Sequence, residues 1–233
     1  MMSNVAAFNA PPAPRPQFPP AEIRRLWLSD MPSFREHLLR LDSNSRHQRF
    51  GGGMSDDFVG HYAENCFGKG DLVFGAIVDG QMVGAAELRS GEAIWAEQAP
   101  HDRHVHAEAA FSVEEPYRRR GIGEQLFRRI ETAGSNHGVE TIEIVCMPDN
   151  IGMIRLAAKF KAQFTFEENA YTGRLTARRP TPSSMMSEVA HDIADLAAAM
   201  FDMQVRAMSG QAGPLPVGAV GQGIGSQKIV GSR

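Results

Sequence analysis

Cysteine is scarce in this chain. Cys66 and Cys146 are the only two among 233 residues, too few and too apolar in setting to suggest a disulfide framework. Long apolar runs are missing as well: no stretch approaches the roughly 20 residues that a membrane-spanning helix needs. The N-terminus has no hydrophobic signal core of the secretory kind. These absences point to a cytoplasmic protein without a membrane partner. An excess of positive charge is also lacking. The net charge of −3 argues against general affinity for nucleic acid and makes any basic cluster a local feature. What the chain does have is apolar content, 42% of its residues, enough to build the core of one ordinary domain with extensions.

The pattern of elements divides the chain. Residues 1–21, with Pro11, Pro12, Pro14, Pro16, Pro19 and Pro20, read as an extended or disordered leader. Ile23 to Leu28 reads as a first strand. Asp30 ahead of Pro32 starts a helix with Phe34, Leu38, Leu39 and Leu41 as its apolar stripe. Ser43 to Gly53 is polar and glycine-rich, a loop. A second helix begins near Ser55 and carries Phe58, Tyr62 and Cys66 at helical spacing. Asp71 to Val78 and Met82 to Leu88 are strands joined by the hairpin turn Asp79-Gly80. Glu92 to Arg103 has little period and reads as a surface excursion. His104 to Val113 then alternates, with Val105, Ala107, Ala109, Phe111 and Val113 on one face.

Beyond a loop and a helix come a strand at Thr141 to Met147, the breaker Pro148-Asp149-Asn150, a helix to about Ala162, and two short strands at 164–166 and 171–177. This order implies an α/β fold with a central mixed, mostly antiparallel sheet flanked by helices, spanning residues 22–180. Residues 181–209 form a separate amphipathic helix, placed at Ser187 to Met208, with Val189, Ile193, Leu196, Met200 and Met203 along one face. It is a candidate to pack on the domain, on a second copy as a homodimer, or on a partner; its methionine content favours packing within the chain. Residues 210–233 are rich in glycine and read as a disordered tail.

The joint between the alternating strand and the following helix is Arg118-Arg119-Arg120-Gly121-Ile122-Gly123. Glycine admits positive φ and a close backbone approach. A helix N-terminus offers unpaired N–H groups and a positive dipole end, and arginine adds forked donors for phosphate oxygens. A tight turn with a solvated basic face is the plainer alternative, and the combination favours an anion site. A dinucleotide fingerprint would need a glycine where Leu126 stands. A P-loop would need Gly-Lys-Ser/Thr where Gly123-Glu124-Gln125 stands.

The stretch resembles the pyrophosphate-binding signature of the GNAT (N-acetyltransferase) superfamily, Gln/Arg-x-x-Gly-x-Gly/Ala, here Arg118, Gly121 and Gly123. The resemblance extends over roughly residues 22–178 in element order. It implies an enzyme whose co-substrate is acetyl-CoA and whose acceptor is an amine. It further implies cofactor contacts along Phe111, Ser112 and Val113, around Arg118, Arg119, Arg120, Gly121, Ile122, Gly123 and Glu124, and at Asn150, which is also placed to cap its helix. Amine attack on a thioester needs a base, an oxyanion donor and a departing thiolate. Glu108 is the candidate base. It lies five residues before the strand end on the face of Ser112, and Ala107-Glu108-Ala109-Ala110-Phe111 is similar to bacterial protein-lysine acetyltransferases. The oxyanion donor implied is a main-chain N–H around Val113, where such strands splay from a neighbour.

The tyrosine that many relatives use as general acid is replaced by Ala157, and the acid is left unassigned between Cys146, Tyr171 and none. A thiol with a pKa of about 8.5 leaves tolerably without one. His104, His106 and Glu108 share a strand face and would suit a metal, but a polar strand edge is the commoner meaning of such a pattern, and no metal is expected. For the acceptor, a protein lysine and a small-molecule amine both fit. A non-catalytic acyl-CoA sensor acting through the C-terminal helix is the remaining alternative.

Overall fold

Asp79 and Gly80 turn the chain as expected, at φ 51° and 77°, the paired left-handed conformation that matches the twist of a hairpin. The strands they join, β2 (Leu72–Val78) and β3 (Gln81–Arg89), form the middle of the sheet. The computed structural model describes residues 19–68, 71–90 and 105–208. β1 (Glu22–Arg25) pairs antiparallel outside β2, and β4 (His106–Val113) antiparallel beside β3. β5 (Thr141–Cys146) runs parallel to β4. β6 (Gln163–Glu167) and β7 (Ala170–Thr176) complete a seven-stranded sheet in the order β1-β2-β3-β4-β5-β7-β6. Only the β4–β5 pair is parallel, so the sheet is mixed and mostly antiparallel.

Helices cover both faces. One face carries α1 (Met31–Arg40), α2 (Ser43–Phe50) and α3 (Asp56–Asn65), packed through Phe34, Leu38, Val59, Ala63 and Cys66 on Val73 and Ala85. The other carries α4 (Ile122–Asn136) and α5 (Ile151–Lys159), with Leu126, Phe127, Ile130 and Ala157 on Phe74, Leu88, Ala109 and Ile142. Strand alternation sends Ala107, Ala109, Phe111 and Val113 to the α4 side, as the sequence pattern implied.

Several expectations need correcting. The loop expected at Ser43 to Gly53 holds α2, because Asp42 caps it by accepting from the Ser45 N–H at 2.9 Å and Gly51 ends it at φ 73°. The first strand stops at Arg25, since Asp30 turns the chain back, accepting from the Trp27 N–H and both guanidinium nitrogens of Arg24. α5 ends before Ala162, where Lys161 takes φ 65°. The excursion at Glu92 to Arg103 lies outside the described residues, as does His104. The C-terminal helix α6 (Pro182–Met208) begins five residues earlier than expected, with Thr181 capping the Ser184 N–H at 3.1 Å. It packs on β1 and α4, but with the opposite face: Val189, Ile193, Leu196 and Met200 are exposed, while Asp195 and Ala199 are buried. Among the described residues no helix is long and apolar enough to cross a membrane.

Candidate functional site

The two central strands part company. β4 and β5 are paired at His106↔Thr141, Ala107↔Ile142 and Glu108↔Glu143, and there the ladder ends. β5 continues to Cys146 in register with β7, and β4 continues to Val113 in register with β3. A wedge therefore opens between them from Ala109 upward. Glu114 donates its N–H to Val83 on the β3 side at 2.9 Å. Because N–H groups alternate between the two edges of a strand, those of Val113 and Phe111 point into the wedge. The distance from Glu108 to Val113 along the strand is about 17 Å at the usual rise.

At the wide end of the wedge stands the basic loop. Gly121 precedes α4 at φ 83°, a conformation that costs an L-residue with a Cβ about 1–2 kcal/mol. It offers no side-chain cap, so the first N–H groups of the 15-residue helix are left for another acceptor. Gly123 is glycine for a different reason: a Cβ there would sit 3.2 Å from the Leu156 side chain, where α5 crosses α4. Arg118 and Arg120 are engaged within the protein. Arg118 donates Nε–H to the Val113 carbonyl at 2.9 Å and reaches Ser45 with its far nitrogen, bracing the loop against α2. Arg120 donates to the Pro116 carbonyl and lies over the Tyr117 ring. Arg119 takes φ 63°. The Glu124 carboxylate is held by Lys159 and Arg128, whose hydrogen bonds keep its pKa below the usual range. Ile122 is buried in the core. Asn150 caps α5, accepting from the Met153 N–H at 3.1 Å.

Glu108 is exposed and occupies the last rung before the wedge, opposite Glu143 on one side and Arg89 on the other. Its side chain shares a sheet face with Ala110 and Ser112, the face covered by α1–α3. On that face sequence reasoning missed two buried polar clusters. His37 is fully buried between the Ser112 hydroxyl (2.8 Å) and the Glu114 carboxylate (3.0 Å), and Arg40 donates to the same carboxylate. Ser112 thus turns its hydroxyl to His37, away from the wedge. Burial pushes the His37 pKa down. The second cluster centres on Glu87, 1% exposed, which accepts from Arg49 and Tyr62 at 2.6 Å each and from Cys66 at 3.3 Å. Burial opposes its charge, yet the Arg49 guanidinium and these hydrogen bonds hold its carboxyl below the usual range. Burial raises the Tyr62 and Cys66 pKa values and pushes Asp71, 3.7 Å from Arg89, up to about 6. The signal for Glu87 was available: it is the one charged residue inside the otherwise apolar run Met82 to Leu88. His37 gave only its place three residues after Phe34.

Of the acid candidates, Cys146 is buried, with its thiol pushed up to about 11 by burial, and lies opposite Tyr171 in the β5–β7 ladder. Ala157, at the tyrosine place, is fully buried in the α4-side core. Among the described residues no group of three or more His, Cys, Asp or Glu side chains is arranged to hold a metal ion.

A strand that splays from its parallel neighbour, runs into a glycine turn and gives way to an uncapped helix is the framework of an acyl-CoA-dependent transferase. Residues 24–161 match the acetyltransferase (GNAT) family, and the chain belongs to that family. Its co-substrate is acetyl-CoA, and it is an N-acetyltransferase acting on amine acceptors. The fold is similar to that of the GNAT domain of Streptomyces lividans PAT, with a TM-score of 0.56 at 20% identity over 67% of this chain and 90% of that one. It is also similar to an N-acetyltransferase from Staphylococcus aureus Mu50, with a TM-score of 0.51 at 16% identity over 68% of this chain and 99% of that one.

Proposed function

We propose that the chain moves the acetyl group of acetyl-CoA to a primary amine by direct attack, with Glu108 as general base and a protein lysine as the acceptor. The observation that carries this reading is the position of Glu108 on the last rung before β4 and β5 diverge. A pantetheine arm entering from the Arg118–Gly123 turn would run down the wedge along Phe111 and Val113, and an extended arm is comparable in length with the strand segment between turn and fork. Its thioester then arrives beside Glu108. The first N–H groups of α4 take the pyrophosphate, and Asn150 stands across the wedge at the start of α5.

The chemistry follows from that placement. The amine reaches the carbonyl carbon deprotonated only if a base takes its proton, and an exposed carboxylate on the acceptor-side face serves. Oxygen charge develops in the wedge, where the Phe111 N–H, two residues nearer the fork than Val113, is aimed. The carbon–sulfur bond then breaks, and CoA leaves as thiolate, protonated from solvent or by the proton released from the amine. Lysine is favoured by the Ala107-Glu108-Ala109-Ala110-Phe111 sequence and by the exposure of Glu108, which an amine on a large body can reach. A small-molecule amine is the second reading.

The experiment mixes the purified protein with acetyl-CoA and separate panels of lysine-bearing proteins and small amines, and follows free CoA thiol. Turnover on the protein panel that vanishes in Glu108→Gln, with acetyl-CoA binding intact, supports the proposal. Turnover confined to small amines moves the acceptor, and acetyl-CoA binding without turnover on any acceptor favours a sensor.

A further inference from the structure

The outer side of α6 is organised as a seam on which none of the described residues packs. Met186, Val189, Ile193, Leu196, Met200 and Met203 follow one another at spacings of three, four, three, four and three, the alternation that keeps apolar side chains facing a second helix. The first five are 75%, 61%, 67%, 41% and 57% exposed. Met185, Phe201, Val205 and Met208 widen the apolar surface. In a helix held to its own domain, the predominantly apolar face would ordinarily be the one buried. Here the reverse holds.

The charged residues of the helix explain the inversion. Glu188 bonds Asn136 and His137. Asp192 pairs with Arg25, and Asp195 accepts from the Arg25 N–H and from Arg129. Asp202 pairs with Arg24, and Arg206 donates to Ser33 and the Ser29 carbonyl. All five charged side chains of α6 face the domain, and the seam side carries none. Its outer flank is Ala190, Ala197 and Gln204, small or neutral; on its inner flank Asp192 and Arg206 are turned to the domain by Arg25 and Ser33.

We propose that this seam is the interface for a second copy of the same chain, two α6 helices packing against each other in a symmetric homodimer. Three observations select that occupant. An acidic or basic partner would meet no complementary charge on the seam, whereas an identical uncharged face is complementary to itself and meets no like-charge repulsion. A lipid surface calls for lysine and arginine beside the apolar stripe; the outer flank has neither, and Arg206 on the inner flank is engaged by Ser33 and Ser29. The area also suffices: the exposed seam side chains form an apolar patch near the upper end of the ~300–600 Å² of a typical monomer's largest patch. Two such faces reach the roughly 1,000 Å² that a specific interface needs. The domain already holds α6 helical, so association does not carry the cost of nucleating the helix.

The test uses the full chain in sedimentation equilibrium from low to high micromolar concentration. The wild type is expected at twice the chain mass of 25.5 kDa. In the double variant Ile193→Glu, Met200→Glu the dimer dissociation constant should rise by about a hundredfold, with thermal melting of the separated chain and acetyl-CoA binding unchanged. His191→Glu, an exposed position on the same helix well away from the seam, should leave the dimer as it is. A wild type that stays at the single-chain mass overturns the proposal, whether or not it binds vesicles of phosphatidylcholine and phosphatidylserine, and vesicle binding would reassign the face to lipid. A dimer that survives the double variant overturns it too.

Discussion

The two faces of the central sheet are built by different rules. On the α4 side the core between α4, α5 and the strands is apolar: Phe111, Phe127 and Phe160 stack in a row with ring centroids 5.2 and 4.0 Å apart. On the α1–α3 side the same strands bury Glu87, Ser112 and, against them, His37. The donor half of the reaction, in the proposed reading, is mounted on the rigid apolar face; the acceptor approaches from the polar one. A buried carboxylate is tolerated there only because every charge is matched: Glu87 by Arg49 and Tyr62, Glu114 by His37 and Arg40. The lesson is that the proposed general base, Glu108, sits where the two regimes meet, at the end of the β4–β5 ladder, and each side can be broken separately.

The largest effect is expected at that meeting point. Glu108→Gln should lower kcat on the amine acceptor by about 10² to 10⁴ while the affinity for acetyl-CoA stays within a factor of about two, since the substitution touches neither turn nor wedge backbone. Stopped-flow release of CoA thiol with calorimetric binding separates the two quantities, and parallel losses in both would remove Glu108 from the role of base.

Next comes the contrast in stability between the faces. Glu87→Gln leaves Arg49 buried beside a neutral amide and should cost about 3–5 kcal/mol, read by urea unfolding. Phe127→Leu, a change of shape on the apolar face, should cost about 1–2 kcal/mol. Equal losses would mean that the polar cluster is not the more brittle of the two. A third, smaller effect belongs to the donor turn. Gly121→Ala should destabilise by about 1–2 kcal/mol through its φ of 83° and weaken acetyl-CoA measurably in the same titration, without shifting the pH dependence of turnover.

Much of this was readable beforehand, for definite reasons. The Asp79-Gly80 hairpin, the alternating β4 and the glycine turn rest on local rules of φ and period, which tertiary contacts do not override. α2 was misread because its composition, Ser43-Asn44-Ser45-Arg46, is that of a loop; the helix depends on the Asp42 cap and on Arg46 reaching the Leu39 and Leu41 carbonyls. The face of α6 was misjudged because hydrophobic periodicity says which side is apolar and not which side is covered. Arg24, Arg25 and Arg129, distant in sequence, attract its acidic side inward. The wedge was implied only by the family resemblance and not by the residues, since a ladder that ends at Glu108 is a relation between two strands 35 residues apart.

The smallest effect probes the polar face through its titration. Burial holds the His37 pKa below its ordinary value, so near pH 6.5 the unfolded chain takes up a proton that the folded chain refuses. The folded state therefore keeps this contribution above that pH and loses it as the pH falls. Between about pH 7.5 and 6 the loss is at most about 0.8 kcal/mol for one such histidine, the limit reached when the folded ring takes up no proton. Asp71, pushed up to about 6, acts in the opposite sense: it favours the folded state at low pH and ceases to as the pH rises through that value. The wild-type curve alone mixes the two. His37→Gln removes the titrating ring and should be less stable at pH 7.5, because Ser112 and Glu114 lose their partner, yet its deficit should shrink by at most about 0.8 kcal/mol at pH 6. Urea midpoints at the two pH values measure this directly. A deficit that grows as the pH falls would mean that His37 holds its proton more tightly in the folded protein, so that the His37–Glu114 contact is an ion pair resembling those of the arginines around Glu87, and a constant deficit would mean that folding leaves its titration unmoved.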